Sequence, residues 1–210
     1  MSAEPVVLDL LDRKTVRRRA WVVALTALII AAALGGVVGL FAGPSGFGIT
    51  AAVVGVPLLL LAAGEGSKTS WLQGTTVSVR ALGTRTVELN AADSLDVLVT
   101  DTRGMRTVSL LVRGGPKGKT VSIALAVYAG TGGRELGVLA LRRLADALAS
   151  TGDTRALVLS ELVVAQLRSE ARGDGAADRP LYRLASLAPQ GRMAQKIKSE
   201  AVARFVTALD

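Results

Sequence analysis

The segment that comes nearest to a chemical motif is Gly114-Gly115-Pro116-Lys117-Gly118-Lys119-Thr120. Glycines followed by Lys and Thr are what a phosphate-binding loop uses, because bare backbone amides face phosphate oxygens while the Lys reaches the outer phosphates. The spacing here is one residue short, since the first glycine of that motif would fall on Arg113. The residues after Thr120 also alternate like a strand, where the motif needs a helix N-terminus pointed at the anion. These residues therefore read as a basic hairpin turn. Asp101-Thr102-Arg103-Gly104 precedes the glycine loop, whereas a nucleotide-switch segment would follow it. Asp93, Asp96 and Asp101 are scattered through turns and strands, and no spacing among them marks an acid–base pair.

The chain has no Cys and no His. Disulfides, thiolate nucleophiles and thiolate metal sites are thereby excluded, together with the side chain most used for proton transfer near neutral pH. Oxygen-ligated hard cations are the metal chemistry left open. The expectation is a non-enzymatic protein with no catalytic, cofactor-binding or metal-ligating residues.

Lys and Arg outnumber Asp and Glu by 25 to 17 in the 210 residues, a net charge of +8. Such a balance suits nucleic acid, an anionic lipid surface, or the charge bias of a membrane protein, and position decides between them. Arg13, Lys14, Arg17, Arg18 and Arg19 stand directly before an uncharged run. That places a basic cluster at a membrane surface, where it sets topology and can meet anionic headgroups. A nucleic-acid partner is not expected.

Residues 20–42 contain no charge, and as a helix they would be about 34 Å long, enough for a bilayer core of roughly 30 Å. Trp21 lies at the start, suited to the headgroup region. Gly43-Pro44-Ser45-Gly46 supplies turn residues, and residues 47–64 form a second uncharged run of about 27 Å, with Pro57 inside it. A transmembrane helical hairpin explains both runs. A buried hairpin of a soluble domain is the alternative. Arg17 to Arg19 also suit a secretory or twin-arginine signal, although the second run would still remain as an anchor. Gly35, Gly39 and Gly43 on the first helix, with Ala51 and Gly55 on the second, let two helix backbones approach closely. Pairing within the hairpin is favoured, and a homo-oligomer through the same faces is the alternative. Neither span carries an ionisable residue of the kind that lines ion pathways.

Residues 75–128 change to a period of two, the signature of strands with one buried face. Five strands are read, from Val77/Val79/Ala81, Val87/Leu89, Leu95/Val97/Val99, Val108/Leu110/Val112 and Val121/Ile123/Leu125/Val127. Leu82-Gly83, residues 90–93, 102–104 and 114–118 read as turns. Residues 135–150 predict an amphipathic helix through Leu136, Leu139, Ala140, Leu144, Ala147 and Leu148. Gly152 and Asp153 mark a stop and a new N-cap for a helix over 155–171. Residues 172–179 read as a polar linker, and 193–209 as a third helix with Ile197, Ala201, Phe205 and Leu209 on one face; packing back on the domain is favoured, and docking on a partner or on the membrane surface is the alternative.

Two apolar spans, then Thr76-Val77-Ser78-Val79-Arg80, Val87-Glu88-Leu89 leading into Ser94-Leu95-Asp96-Val97-Leu98-Val99, then an amphipathic helix over 135–150, resemble the bacterial pleckstrin-homology-like membrane proteins. The resemblance covers residues 20–150. It implies about seven strands in a strongly bent antiparallel sheet closed by a helix, in domains thought of as binding or scaffolding modules.

The expected fold class is α+β, with a basic cytoplasmic N-terminus at 1–19, a two-helix transmembrane hairpin at 20–66, a pleckstrin-homology-like β domain with its capping helix at 67–151 and a helical extension at 152–210. Basic flanks around an uncharged turn put both termini in the cytoplasm and make this a multi-pass protein of a bacterial plasma membrane. The expected partners are the lipid bilayer and a protein of unspecified identity. The expected role is a membrane-tethered scaffold or protein-interaction module. The alternative is an accessory subunit of a larger membrane complex, for export or envelope synthesis, contacting it through the hairpin.

Overall fold

A computed structural model describes residues 4–10, 13–66, 69–81, 83–115, 118–130, 132–189 and 193–209. Contacts divide the chain into two compact units, one of Met1–Leu10, Thr69–Val79 and Thr84–Asp210, the other of Leu11–Lys68 with Arg80–Gly83.

The second unit is built on one long helical element, α1 (Arg13–Gly66). Its stretch Ala20–Leu61, 42 residues with mean hydropathy 2.5, is long and apolar enough to cross a membrane. The expected four-residue loop separating two helices does not form. Helix is continuous through 44–46, and the break is confined to Gly43, at φ 71° and ψ −168°. Pro44 accounts for the difference, because a ring with φ fixed near −65° and no N–H is at home in the first turn of a helix. The break is sharp. The Ala31 side chain lies 3.2 Å from where a Cβ on Gly55 would stand, whereas a straight helix would separate those residues by about 36 Å.

The first unit begins ahead of α1 with β1 (Val6–Val7) and resumes after it with β2 (Thr69–Gln73), β3 (Thr76–Arg80) and β4 (Thr84–Glu88), hydrogen-bonded in the order β1-β2-β3-β4. β1 runs antiparallel to β2, with Val6 opposite Leu72 and Val7 opposite Trp71. Residues 6–10 thus belong to this unit: Leu8 is buried in the core, and Asp9 Oδ1 accepts from the Ser70 amide at 2.7 Å and from its hydroxyl at 2.8 Å.

A 3-10 turn at Leu89–Ala91 carries the chain out of this sheet, its Leu89 amide donating to Thr75 O at 2.9 Å. β5 (Ala92–Thr102), β6 (Met105–Gly114), β7 (Lys119–Ala129) and β8 (Gly132–Glu135) then build a second sheet, β8-β7-β6-β5-β9, whose last member is β9 (Ala194–Ile197). The one strongly bent sheet expected from the resemblance is therefore replaced by two sheets, parted where the 3-10 turn interrupts pairing. Arg103 and Gly104, at φ 54° and 78°, make the two-residue turn between β5 and β6, whose twist matches the strands it joins.

Alternation along β5 and β6 places Leu95, Val97, Val99, Val108, Leu110 and Val112 in the core. α2 (Val138–Ala149) starts three residues later than expected, so Leu141, Leu144 and Leu148 face the core while Leu139 is 65% exposed. α3 (Thr154–Arg172) has the expected cap: Asp153 accepts from the Arg155 amide at 2.8 Å, and Gly173 closes the helix in the left-handed region. Ser160 Oγ donates to Ala145 O at 2.9 Å, tying α3 to α2. The polar linker contains a 3-10 turn at Ala176–Asp178 and leads into a helix the periodicity did not predict, α4 (Pro180–Ser186).

The C-terminal helix predicted over 193–209 begins as a strand. β9 pairs antiparallel with the outer edge of β5, and helix α5 (Ser199–Thr207) follows. α5 packs on the domain as expected, but through Val202, fully buried, with Phe205 and Val206 beside it and Ala201 only half-buried.

Candidate functional site

Two features stand out, one in each unit. Along α1, side chains such as Leu40 and Phe41 are 85% and 89% exposed, with Trp21, Val22, Ile29, Ile49 and Leu61 also bare. Apolar surface of this extent is far beyond what an aqueous face carries. Of the small residues singled out, Gly35 and Gly39 face Phe47, Gly55 faces Ala31, and Gly43 is the break itself; Ala51 is half-buried. The packing glycines are thus occupied inside the element. Arg18 is exposed, while the side chains of Arg13, Lys14, Arg17 and Arg19 lie outside the described residues.

The second feature is a cleft of about 570 Å³ in the sheet-and-helix unit, lined by Asp101, Gly104, Arg106, Tyr128, Gly130, Tyr182 and Ala185. Its origin is a bulge in β7. Pairing with β6 jumps from Val108 opposite Ala126 to Ser109 opposite Ala124, so Leu125 is the extra residue. The slip reverses the alternation, burying Tyr128 at 2% exposure where Val127 was expected. The freed Leu125 carbonyl accepts from the Leu136 amide at 2.8 Å.

Tyr128 OH donates to Glu135 Oε1 at 2.6 Å, and Arg179 Nη1 donates to the other carboxylate oxygen. Glu135 is the last residue of β8 and Arg179 the N-cap of α4, so this carboxylate, 7% exposed in its side chain, ties a strand edge to a helix start. Burial first, and then the Glu135 hydrogen bond, push the Tyr128 phenol far above its ordinary value near 10. It stays neutral, a donor and not a nucleophile. Its own hydrogen bond to Glu135 raises the Arg179 guanidinium further. Tyr182 meets Tyr128 edge to face at 5.1 Å and donates to Gly130 O at 3.2 Å. Arg106 donates to Asp101 at 3.4 Å and to Ala185 O at 3.3 Å. The wall is aromatic, with one paired cation at its rim, and such a surface can hold a flat apolar group flanked by a polar one.

The glycine loop is a hairpin: Gly114 pairs with Lys119, the Gly118 amide donates to Gly115 O at 2.9 Å, and a strand follows. Leu82, Pro116 and Lys117 lie outside the described residues. Asp93, Asp96 and Asp101 serve separate ends: the Asp93 carbonyl accepts from Arg155, Asp96 pairs with Lys196 of β9 at 2.6 Å, and Asp101 pairs with Arg106. Among the described residues no group of three or more Asp or Glu gathers where a cation could be held.

Sequence reasoning missed Tyr128, Glu135, Arg179 and Tyr182. Gly133, two residues before Glu135, was the available signal, since it leaves bare backbone opposite Tyr128. No family model, no curated protein and no solved structure matches this chain.

Proposed function

We propose that this protein is a membrane-tethered binding module: α1 crosses the bilayer twice as a folded hairpin, and the sheet-and-helix unit holds a protein partner at the cytoplasmic face. One observation carries the reading. β1 precedes the apolar element and β2 follows it, yet the two pair in one sheet. A single crossing would strand them on opposite sides of the membrane. Length agrees, because 42 residues of helix measure about 63 Å, twice a bilayer core. The contacts of Gly55 with Ala31 and of Gly35 with Phe47 fit two arms lying together. The basic flank favours the cytoplasm for both termini, as in a multi-pass protein of a bacterial plasma membrane. The tyrosine-walled cleft supplies a binding surface with its phenol held neutral, which favours recognition over catalysis.

The test keeps β1. Residues 11–68 are replaced by a short Gly/Ser linker joining Leu10 to Thr69, and the chain is compared with the full-length protein in partner capture from mild detergent. The scaffold reading expects a soluble, cooperatively melting domain that retains the partner and loses it on Tyr182→Ala. Loss of the partner from a well-folded linker variant would instead favour an accessory subunit bound through the hairpin.

A further inference from the structure

We propose that the β3–β4 turn is a second membrane contact, with the Arg80 and Arg85 guanidinium groups resting on the phosphates of anionic lipid headgroups. The inference rests on the twice-crossing reading of α1 and deepens it.

Strand direction places the turn. β1 runs towards Leu10 and β2 starts at Thr69, so the two ends that connect to α1 share one end of the first sheet. β2 runs away from that end, and a two-residue turn at Gly74 and Thr75 returns β3 to it, since so short a connection joins only antiparallel strands. The end of β3 at Arg80 and the start of β4 at Thr84 therefore lie at the same end as Leu10 and Thr69. Two residues separate Leu10 from Arg13, and two separate Gly66 from Thr69. If α1 spans the bilayer, this is the end of the sheet held at the headgroups.

The charges there are mainly basic. Among the described residues at this end of the sheet the cations are Arg80 and Arg85, and the acid, Asp9, is committed to Ser70. Arg80, Thr84 and Arg85 are exposed, and among the described residues neither arginine joins an ion pair. The acid on β4, Glu88, stands at the strand's far end. Planar guanidinium forks suit phosphate oxygens, and the negative potential of a cytoplasmic leaflet attracts such a cluster.

The chain's lack of Cys makes the test direct. Full-length protein carrying Thr84→Cys, Glu88→Cys or Ile29→Cys, each bearing an environment-sensitive fluorophore, is reconstituted into vesicles of phosphatidylcholine alone or with phosphatidylglycerol. The Thr84 label is expected to shift to the blue and to lose access to acrylamide several-fold when phosphatidylglycerol is present, with the Glu88 label unchanged. Arg80→Glu with Arg85→Glu should abolish the shift, and 1 M salt should weaken it by shortening screening to about 3 Å. Quenching of the Ile29 label by brominated acyl chains reports on α1 separately. An acyl-quenched Ile29 label with a Thr84 label indifferent to both phosphatidylglycerol and the charge reversals overturns this inference alone. An Ile29 label that brominated chains do not reach overturns the spanning reading and this inference with it.

Discussion

Tyr128 points inward because β7 carries one extra residue at Leu125, and the ring then lies on the bare backbone of Gly133. A Cβ at Gly133 would overlap Tyr128 Cδ1 and stand 2.9 Å from the Val127 carbonyl. Gly133→Ala should therefore displace the ring and cost about 1–3 kcal/mol, as overpacking does. A drop of about 2–4 °C in Tm for each kcal/mol is the readout, with altered near-ultraviolet tyrosine dichroism as the structural marker. Tyr128→Phe removes a hydrogen bond to a carboxylate, a loss of about 1.5–3 kcal/mol. The pH dependence has a definite sign. The folded phenol titrates above its ordinary value, so its contribution is intact below about pH 10 and is lost as pH rises further, where the unfolded chain sheds the proton first. Denaturant melts of the two proteins should differ most near neutrality and converge in alkali.

Helix α3 stands on a cap that is also an ion pair: the Asp153 carboxylate accepts from the Arg155 amide at 2.8 Å and from its Nη2 at 2.6 Å. The Arg155 side-chain hydrogen bond is the main cause holding this carboxyl below its usual range. Asp153→Ala should cost about 1 kcal/mol near neutral pH. The deficit should vanish as pH falls below about 3.9 and through the lowered folded value, because the cap is lost on protonation. Urea melts at pH 7 and pH 2.5 check both. This cap was legible in the sequence, as were the five alternating strands and the apolar run, because each is a local pattern repeated over many residues. β1, β2, β8 and β9 were not, since two to five residues carry too little period and their pairing is decided by distant partners. Ile197 shows the limit. Its spacing from Ala201 and Phe205 suits a helix, but the unpaired edge of β5 takes residues 194–197 into the sheet. The cleft was illegible for a related reason: one bulge reverses alternation, and nothing in the residue types around Leu125 announces it.

At the scale of the whole chain, one domain is assembled from segments on either side of an apolar element, with Asp9 and Ser70 closing the join at 2.7 Å. In the proposed function this element crosses a membrane and returns. The direct measurement uses single thiols at Glu4, Ser45 and Ser150, all exposed, in a chain otherwise free of Cys. A membrane-impermeant maleimide is applied first to intact cells whose outer layers it passes and then to inverted vesicles. Ser45→Cys is expected to be labelled in intact cells, while Glu4→Cys and Ser150→Cys are protected there and labelled together in inverted vesicles. Labelling of Glu4→Cys and Ser150→Cys from opposite sides of the membrane would contradict it.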